Sequence, residues 1–241
     1  FLDVISSQKI SVGPPFYHKL IIPFLIPFLI AMTLGLKVKW IKSEIKDKKN
    51  LIIFFLISVL ISILIVRNFD TNFLIYTVLI SSAFFLFFVT VRDFFVKKFS
   101  SFSQNISHFG FSLLILSILF NNFLTNETII NLKVGQTHVA EKFIIKFEDV
   151  NQSSQKNYES VVGKFSVKNN DGKTDLLYPE LRIYNQPNIV TSEAYIKTNF
   201  FLDKFMTMNY VQNEEYFNIR YQTKPLMLWI WISVILISLG G

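Results

Sequence analysis

Cysteine is absent from the 241 residues. That excludes disulfides, thiolate nucleophiles, cysteine metal sites and iron–sulfur clusters built by this chain. Charge is scarce. Asp, Glu, Lys and Arg make up 17%, against about 25% in an ordinary soluble domain. Histidine occurs three times, never in an HExxH pattern or as a pair at metal-site spacing. GxSxG, P-loop and dinucleotide fingerprints are missing as well. The carboxylates are scattered, so no pair is assigned to acid–base work and the catalytic residues stay unknown.

What is present is apolar. Hydrophobic residues reach 51%, and Phe alone counts 27. Ile, Phe, Lys and Asn abundance is also what an AT-rich genome produces, so composition needs spatial support. The charge-free windows supply it. They run from Leu20 to Leu36, Leu51 to Val66, Thr71 to Val91, Phe99 to Asn126, and Pro225 to the end. A spanning helix needs roughly 17–25 apolar residues. The windows predict five transmembrane helices, the second marginally short. Pro23 and Pro27 inside the first are tolerable, because neighbouring helices in a bilayer satisfy the freed carbonyls. The chain opens on Phe1 rather than Met and closes on Gly240-Gly241. It therefore reads as a fragment of a longer protein.

Lys and Arg set the orientation. Lys37, Lys39, Lys42, Lys46, Lys48 and Lys49 fall in one loop, and Arg92, Lys97 and Lys98 in another. The positive-inside rule puts both in the cytoplasm. The net charge of +7 is then topogenic, and a nucleic-acid partner is disfavoured. Four regions follow: 1–19, a segment on the outer side; 20–124, a four-helix membrane region; 125–224, a soluble insert on the outer side; and 225–241, a final helix. Period-two runs at Phe143–Glu148, Phe165–Lys168 and Phe217–Tyr221, with a hairpin signal at Asn170-Asp171-Gly172, predict a small antiparallel β domain in the insert. Asp203–Met208 is expected to be a short helix. The fold class is a polytopic α-helical membrane protein carrying this β domain.

Among the histidines, His108 lies inside the fourth window, roughly 13 Å from its cytoplasmic end at 1.5 Å per residue. Intramembrane ionisable residues are rare and usually functional. Three roles are open for it: haem or metal ligand, hydrogen bond to another helix, or proton relay. Gly110 permits close approach of a helix or a flat ligand, and Ser112, at i+4, shares the face of His108. His18 reads as an interfacial aromatic and His138 as a surface residue. Trp229 and Trp231 read as an interfacial belt.

The order of motifs resembles the C-terminal part of the CcmF family of haem lyase subunits. Ile10–Tyr17 looks like its SVGxPyFN segment, with His18 where Asn is usual. Ser107-His108-Phe109-Gly110 looks like its HxG segment. Pro179–Tyr184, Ser192-Glu193-Ala194, Asp203, Arg220, Lys224-Pro225 and Trp229-Ile230-Trp231 look like its PExRxY, TEA and KPxxxWIW series. Tyr195 after Ala194 departs from that pattern. The resemblance implies a subunit that takes haem from a haem chaperone and attaches it to apocytochrome c, alongside other cytochrome c maturation subunits. It implies an intramembrane haem b with His108 as one axial ligand. The second His, and a tryptophan-rich segment, would precede Phe1. A quinol is the electron donor the family implies. Glu180, Arg182, Glu193 and Lys224 read as structural or partner contacts. The implied location is the bacterial inner membrane, with 125–224 periplasmic, rather than an organellar membrane. Two other readings stand beside it: a membrane scaffold that binds no cofactor here, and a paralogue serving haem attachment to a nitrite reductase. A transporter is disfavoured, because the spans carry only one ionisable residue where coupling pathways need several.

Overall fold

The computed structural model describes residues 14–35, 37, 48–69, 71–96, 101–169, 172–211 and 215–241, with side chains from Leu20 onward. The Ile10–Gly13 part of the first motif, the side chain of His18, and Lys39, Lys42, Lys46, Lys97 and Lys98 lie outside the described residues. Contacts divide the chain into two units, residues 1–119 with 230–241, and residues 120–229.

The first unit is helical. Its helices are α1 (Pro14–Gly35), α2 (Lys48–Val66), α3 (Phe73–Val96), α4 (Phe102–Leu124) and α5 (Met227–Gly240), the last two entering the second unit at one end. Helix α1 begins on Pro14-Pro15, as suits residues whose missing N–H groups would be unsatisfied in a first turn. Five spans were expected; among the described residues three helices are long and apolar enough to cross a membrane, α2, α3 and α4. The apolar stretches Leu20–Gly35 and Met227–Gly240 are shorter.

The helices turn large apolar side chains outward, among them Phe24, Leu56, Leu74 and Phe95. Small hydroxyl residues face inward. Thr33, Ser58, Ser62, Ser82, Thr90 and Ser112 are buried, and each donates to a carbonyl three or four residues back on its own helix. That satisfies the hydroxyl without a partner helix and lets backbones approach. An apolar exterior over a small-residue interior is the arrangement of a protein that meets lipid rather than water.

The second unit is a β-sandwich. Strands β1 (Asn126–Leu132), β10 (Phe217–Pro225), β9 (Leu202–Tyr210) and β8 (Tyr195–Lys197) form one antiparallel sheet in that order. The other sheet runs β2 (Thr137–Val139), β3 (Phe143–Ser154), β4 (Tyr158–Asn169), β6 (Glu180–Asn185) and β7 (Asn188–Glu193), with β5 (Thr174–Leu177) also paired to β4. The long strand β4 serves both β5 and β6: Phe165–Lys168 pair with β5 and Tyr158–Val162 with β6. The hairpin signal holds, since Gly172 takes a positive φ of 79° between β4 and β5, a conformation glycine adopts without steric cost. Phe143, Ile145 and Phe147 point inward from β3 in strict alternation. They pack with Phe165, Val167, Leu181, Met206, Met208 and Ile219 in one core. Phe147 stacks on Phe165 at 4.2 Å between centroids.

One expected element is wrong. Asp203–Met208 is not a helix but the centre of β9. Lys204, Met206 and Met208 are buried on one face, a period of two. The lysine at a core position hid that alternation.

Candidate functional site

Helix α4 carries the candidate site. His108 is half-buried in it, and among the described residues it has no hydrogen-bond partner. The residue after it is aromatic and packs on α3. Phe109 lies 5.4 Å from Phe87 and 6.0 Å from Phe94, both on α3. Asn105 and Ser112, at i−3 and i+4 from His108, are buried and share its face by helical spacing. The Asp93 carboxylate on α3 is close enough to act electrostatically on the imidazole.

Gly110 does what its missing side chain suggests, toward a helix. A Cβ there would meet Ile237 and Leu236 of α5 at 3.0 Å. One turn further along α5, a Cβ on Gly240 would collide with Ser107 and stand 2.6 Å from the Ser103 carbonyl oxygen, and Ser103 Oγ donates to the Gly240 carbonyl at 3.0 Å. Small residues on α4 thus seat α5 on the face next to His108. Helix α5 fixes the rotation of α4, and with it the direction of the imidazole.

Sequence reasoning missed a charged pair nearby. Lys37 Nζ donates to both carboxylate oxygens of Asp93, at 2.9 and 2.8 Å, with the side chains only 3% and 4% exposed. Lys37 follows the end of α1 and was read as one of many loop lysines. The signal available was Asp93, an acid standing beside Arg92 at the end of an apolar run.

The polar residues singled out in the β unit separate into two places. Glu180 and Arg182 form an ion pair at 2.9 Å, and Ser160 Oγ donates to Glu180 at 2.6 Å. Arg182 also lies over the Tyr158 ring at 5.1 Å. Its hydrogen bond, followed by that of Ser160, holds the Glu180 carboxyl below the usual carboxylate range against the opposing effect of burial. Glu193 is directly opposite Glu180 in the β6–β7 register and accepts from Thr191 Oγ1 at 3.2 Å. Lys224 does not join them. It is on the other sheet, with its ammonium 4.9 Å from the Phe205 centroid. His138 is half-buried in β2 opposite Ile145. Trp229 meets Phe200 and Phe201 at 5.0 and 6.3 Å.

A second cluster was not foreseen. Asp175 accepts from Lys197 and Lys204, each at 2.5 Å, joining β5 to β8 and β9 across the two sheets. These hydrogen bonds lower its carboxyl, while burial acts the other way. Both Asp175 and Glu180 titrate lower folded than unfolded. Their stabilisation is full above the unfolded value of about 4 and is lost as pH falls through the folded values. The β signal in circular dichroism under urea should therefore stay constant from neutral pH to about pH 5 and weaken below about pH 4. Asp175→Asn should flatten that decline. A wild-type decline that survives unchanged in the variant would remove Asp175 from the account.

Residues 123–225 match the family model described as the CcmF C-terminal beta-sandwich. The β unit is similar to that family's C-terminal domain. The likeness extends to the helices. A cytochrome c-type biogenesis protein CcmF from Pseudomonas fluorescens is 25% identical over 100% of this chain and 38% of its own length. CcmF from Escherichia coli K12 is 25% identical over 97% of the chain and 37% of its own. The cytochrome c-type biogenesis protein NrfE from Haemophilus influenzae is 23% identical over 97% and 38%. The chain thus spans about two fifths of the length of these relatives. A solved cytochrome c haem lyase CcmF has the same fold, with a TM-score of 0.72 over 95% of this chain and 40% of that one, at 17% identity. The fold is that of CcmF: apolar membrane helices with a β-sandwich.

Proposed function

We propose that this chain is the C-terminal part of a cytochrome c haem lyase subunit and that His108 is an axial ligand of a haem b within the membrane. The observation that carries the reading is the imidazole itself. It stands in an apolar helix, half-buried, next to a Phe109 packed on Phe87 and Phe94, and without a hydrogen-bond partner among the described residues. A group of that polarity at that depth is costly unless something binds it. A neutral imidazole nitrogen is the commonest protein ligand for iron, so the donor fits the group.

When bound, the haem supplies one-electron chemistry. The chain's own part is to hold the imidazole in place. The α4–α5 contact at Gly110 and Gly240 fixes the helix. Phe87, Phe94 and Phe109 shed water from its flank. The Lys37–Asp93 pair presents the imidazole with a neutral dipole rather than a free carboxylate. A second imidazole would complete the ligation of the iron. The substrate is a separate haem, handed over by a haem chaperone and joined through its vinyl groups to the cysteines of apocytochrome c. The cysteines of that chemistry belong to the substrate, in keeping with a chain that has none. The site lies in the bacterial inner membrane, the sandwich faces the periplasm, and a quinol donates the electrons. An NrfE-type relative is nearly as similar as CcmF, 23% against 25% identical, and is the ground for a second reading in which the apocytochrome is a nitrite reductase.

Pyridine-haemochrome analysis of the intact protein purified from membranes tests the reading. About one non-covalent b-type haem per chain is expected. Protein that carries none when made in haem-replete cells would leave the scaffold reading in its place.

A further inference from the structure

The β unit holds a cavity that the haem chemistry does not use. Its volume is about 410 Å³, and its lining includes Leu124, Lys142, Leu202, Lys204, Tyr221 and Pro225. Its place is set by the chain: Leu124 ends α4 and Pro225 ends β10, just before α5 begins at Met227. Two of its lining residues thus stand where the chain passes between the sandwich and the apolar helices α4 and α5.

Three features define what it would take. Two lysines line it, of which Lys204 is already paired with Asp175 behind the wall, so Lys142 is the cation the cavity offers. Lys142 is exposed and has no ion-pair partner among the described residues. A donor is waiting. Tyr221 is 1% exposed, its ring packed on Phe143 at 4.9 Å, and its buried hydroxyl has no hydrogen-bond partner. Such a group costs stability unless an acceptor arrives. Burial, and then the Asp175 carboxylate, raise the Tyr221 phenol above its ordinary value, so it remains a donor. Apolar rings flank the site. Phe200 and Phe201 are 53% and 63% exposed, precede the lining residue Leu202, and meet Trp229 on the first turn of α5. The Leu226 N–H donates to the Phe201 carbonyl at 2.9 Å, which ties that loop to the helix start. Aromatic side chains at the root of an apolar helix belong at the headgroup level of a bilayer.

We propose that this cavity seats the phosphate of an anionic phospholipid, with Lys142 and Tyr221 at the headgroup and the acyl chains leaving past Phe200, Phe201 and Trp229. The phosphate chemistry is shared by free phosphate; the apolar rim favours the lipid. The site would pin the sandwich to the membrane surface at a fixed height.

Native mass spectrometry of the intact protein, stripped of lipid and offered phosphatidylglycerol, phosphatidylcholine or inorganic phosphate, tests this. Phosphatidylglycerol should be retained about fivefold better than phosphatidylcholine, the size of effect expected from one lysine at an anionic surface. Lys142→Glu, at an exposed position, should remove most of that preference, and Tyr221→Phe, which keeps the ring, should weaken the retention of both lipids, since both carry the phosphate. Equal retention of the two lipids would overturn the proposal. So would a preference untouched by Lys142→Glu, retention of both lipids unchanged in Tyr221→Phe, or displacement of phosphatidylglycerol by inorganic phosphate at equal concentration. None of these outcomes bears on His108, so the two proposals fail separately.

Discussion

Asp93→Ala is expected to cost the helical unit about 3–5 kcal/mol, because it leaves the Lys37 ammonium buried without its carboxylate. The size comes from the burial. Both side chains are almost wholly enclosed, and both carboxylate oxygens are engaged. An exposed pair of the same length would be worth about 1 kcal/mol or less. Lys37→Ala should be comparably harmful, since it strands the carboxylate. The informative variant is the double one. Lys37→Met with Asp93→Leu removes both charges and restores volume, and such replacements of buried pairs are often neutral or stabilising. Thermal unfolding in detergent should place the two single variants well below wild type and the double variant near it. Single variants within about 1 kcal/mol of wild type, with an additive double, would show that the pair is not coupled.

Much of the architecture is legible in the residues, because it rests on patterns with a physical period. The absence of charge from Leu51–Val66, Thr71–Val91 and Phe99–Asn126 locates α2, α3 and α4. Alternation at Phe143, Ile145 and Phe147 locates β3, and the Gly172 turn locates the β4–β5 hairpin. What escapes is what depends on distant partners. Lys37 and Asp93 are 56 positions apart, and Lys204 and Asp175 are 29. No local rule links either pair. Lys204 also carried an error with it: a lysine on the core face broke the apolar alternation of β9 and made a strand look like a helix. His108 lay between these cases. Its unusual depth was plain from the window, and its lack of a hydrogen bond required the coordinates. Glu180, Arg182, Glu193 and Lys224, adjacent as motif residues, fall on two different sheets, so sequence order was a poor guide to their grouping.

The other large effect concerns His108. As an axial ligand it has no substitute nearby: among the described residues no other histidine lies in the helices with a described side chain, and no group of metal-binding side chains occurs. His108→Ala should therefore abolish the low-spin state of the haem, while α4 keeps its packing through Gly110 and the neighbouring serines. His108→Gly with added imidazole separates ligation from folding, since exogenous imidazole can occupy the vacated position if the helices are intact. The decisive measurement is the reduced-minus-oxidised optical spectrum of the intact protein and these variants. The account predicts a low-spin b-type spectrum in the wild type, its loss in His108→Ala, and its return in His108→Gly on addition of imidazole. A low-spin b-type spectrum unchanged in His108→Ala would contradict it.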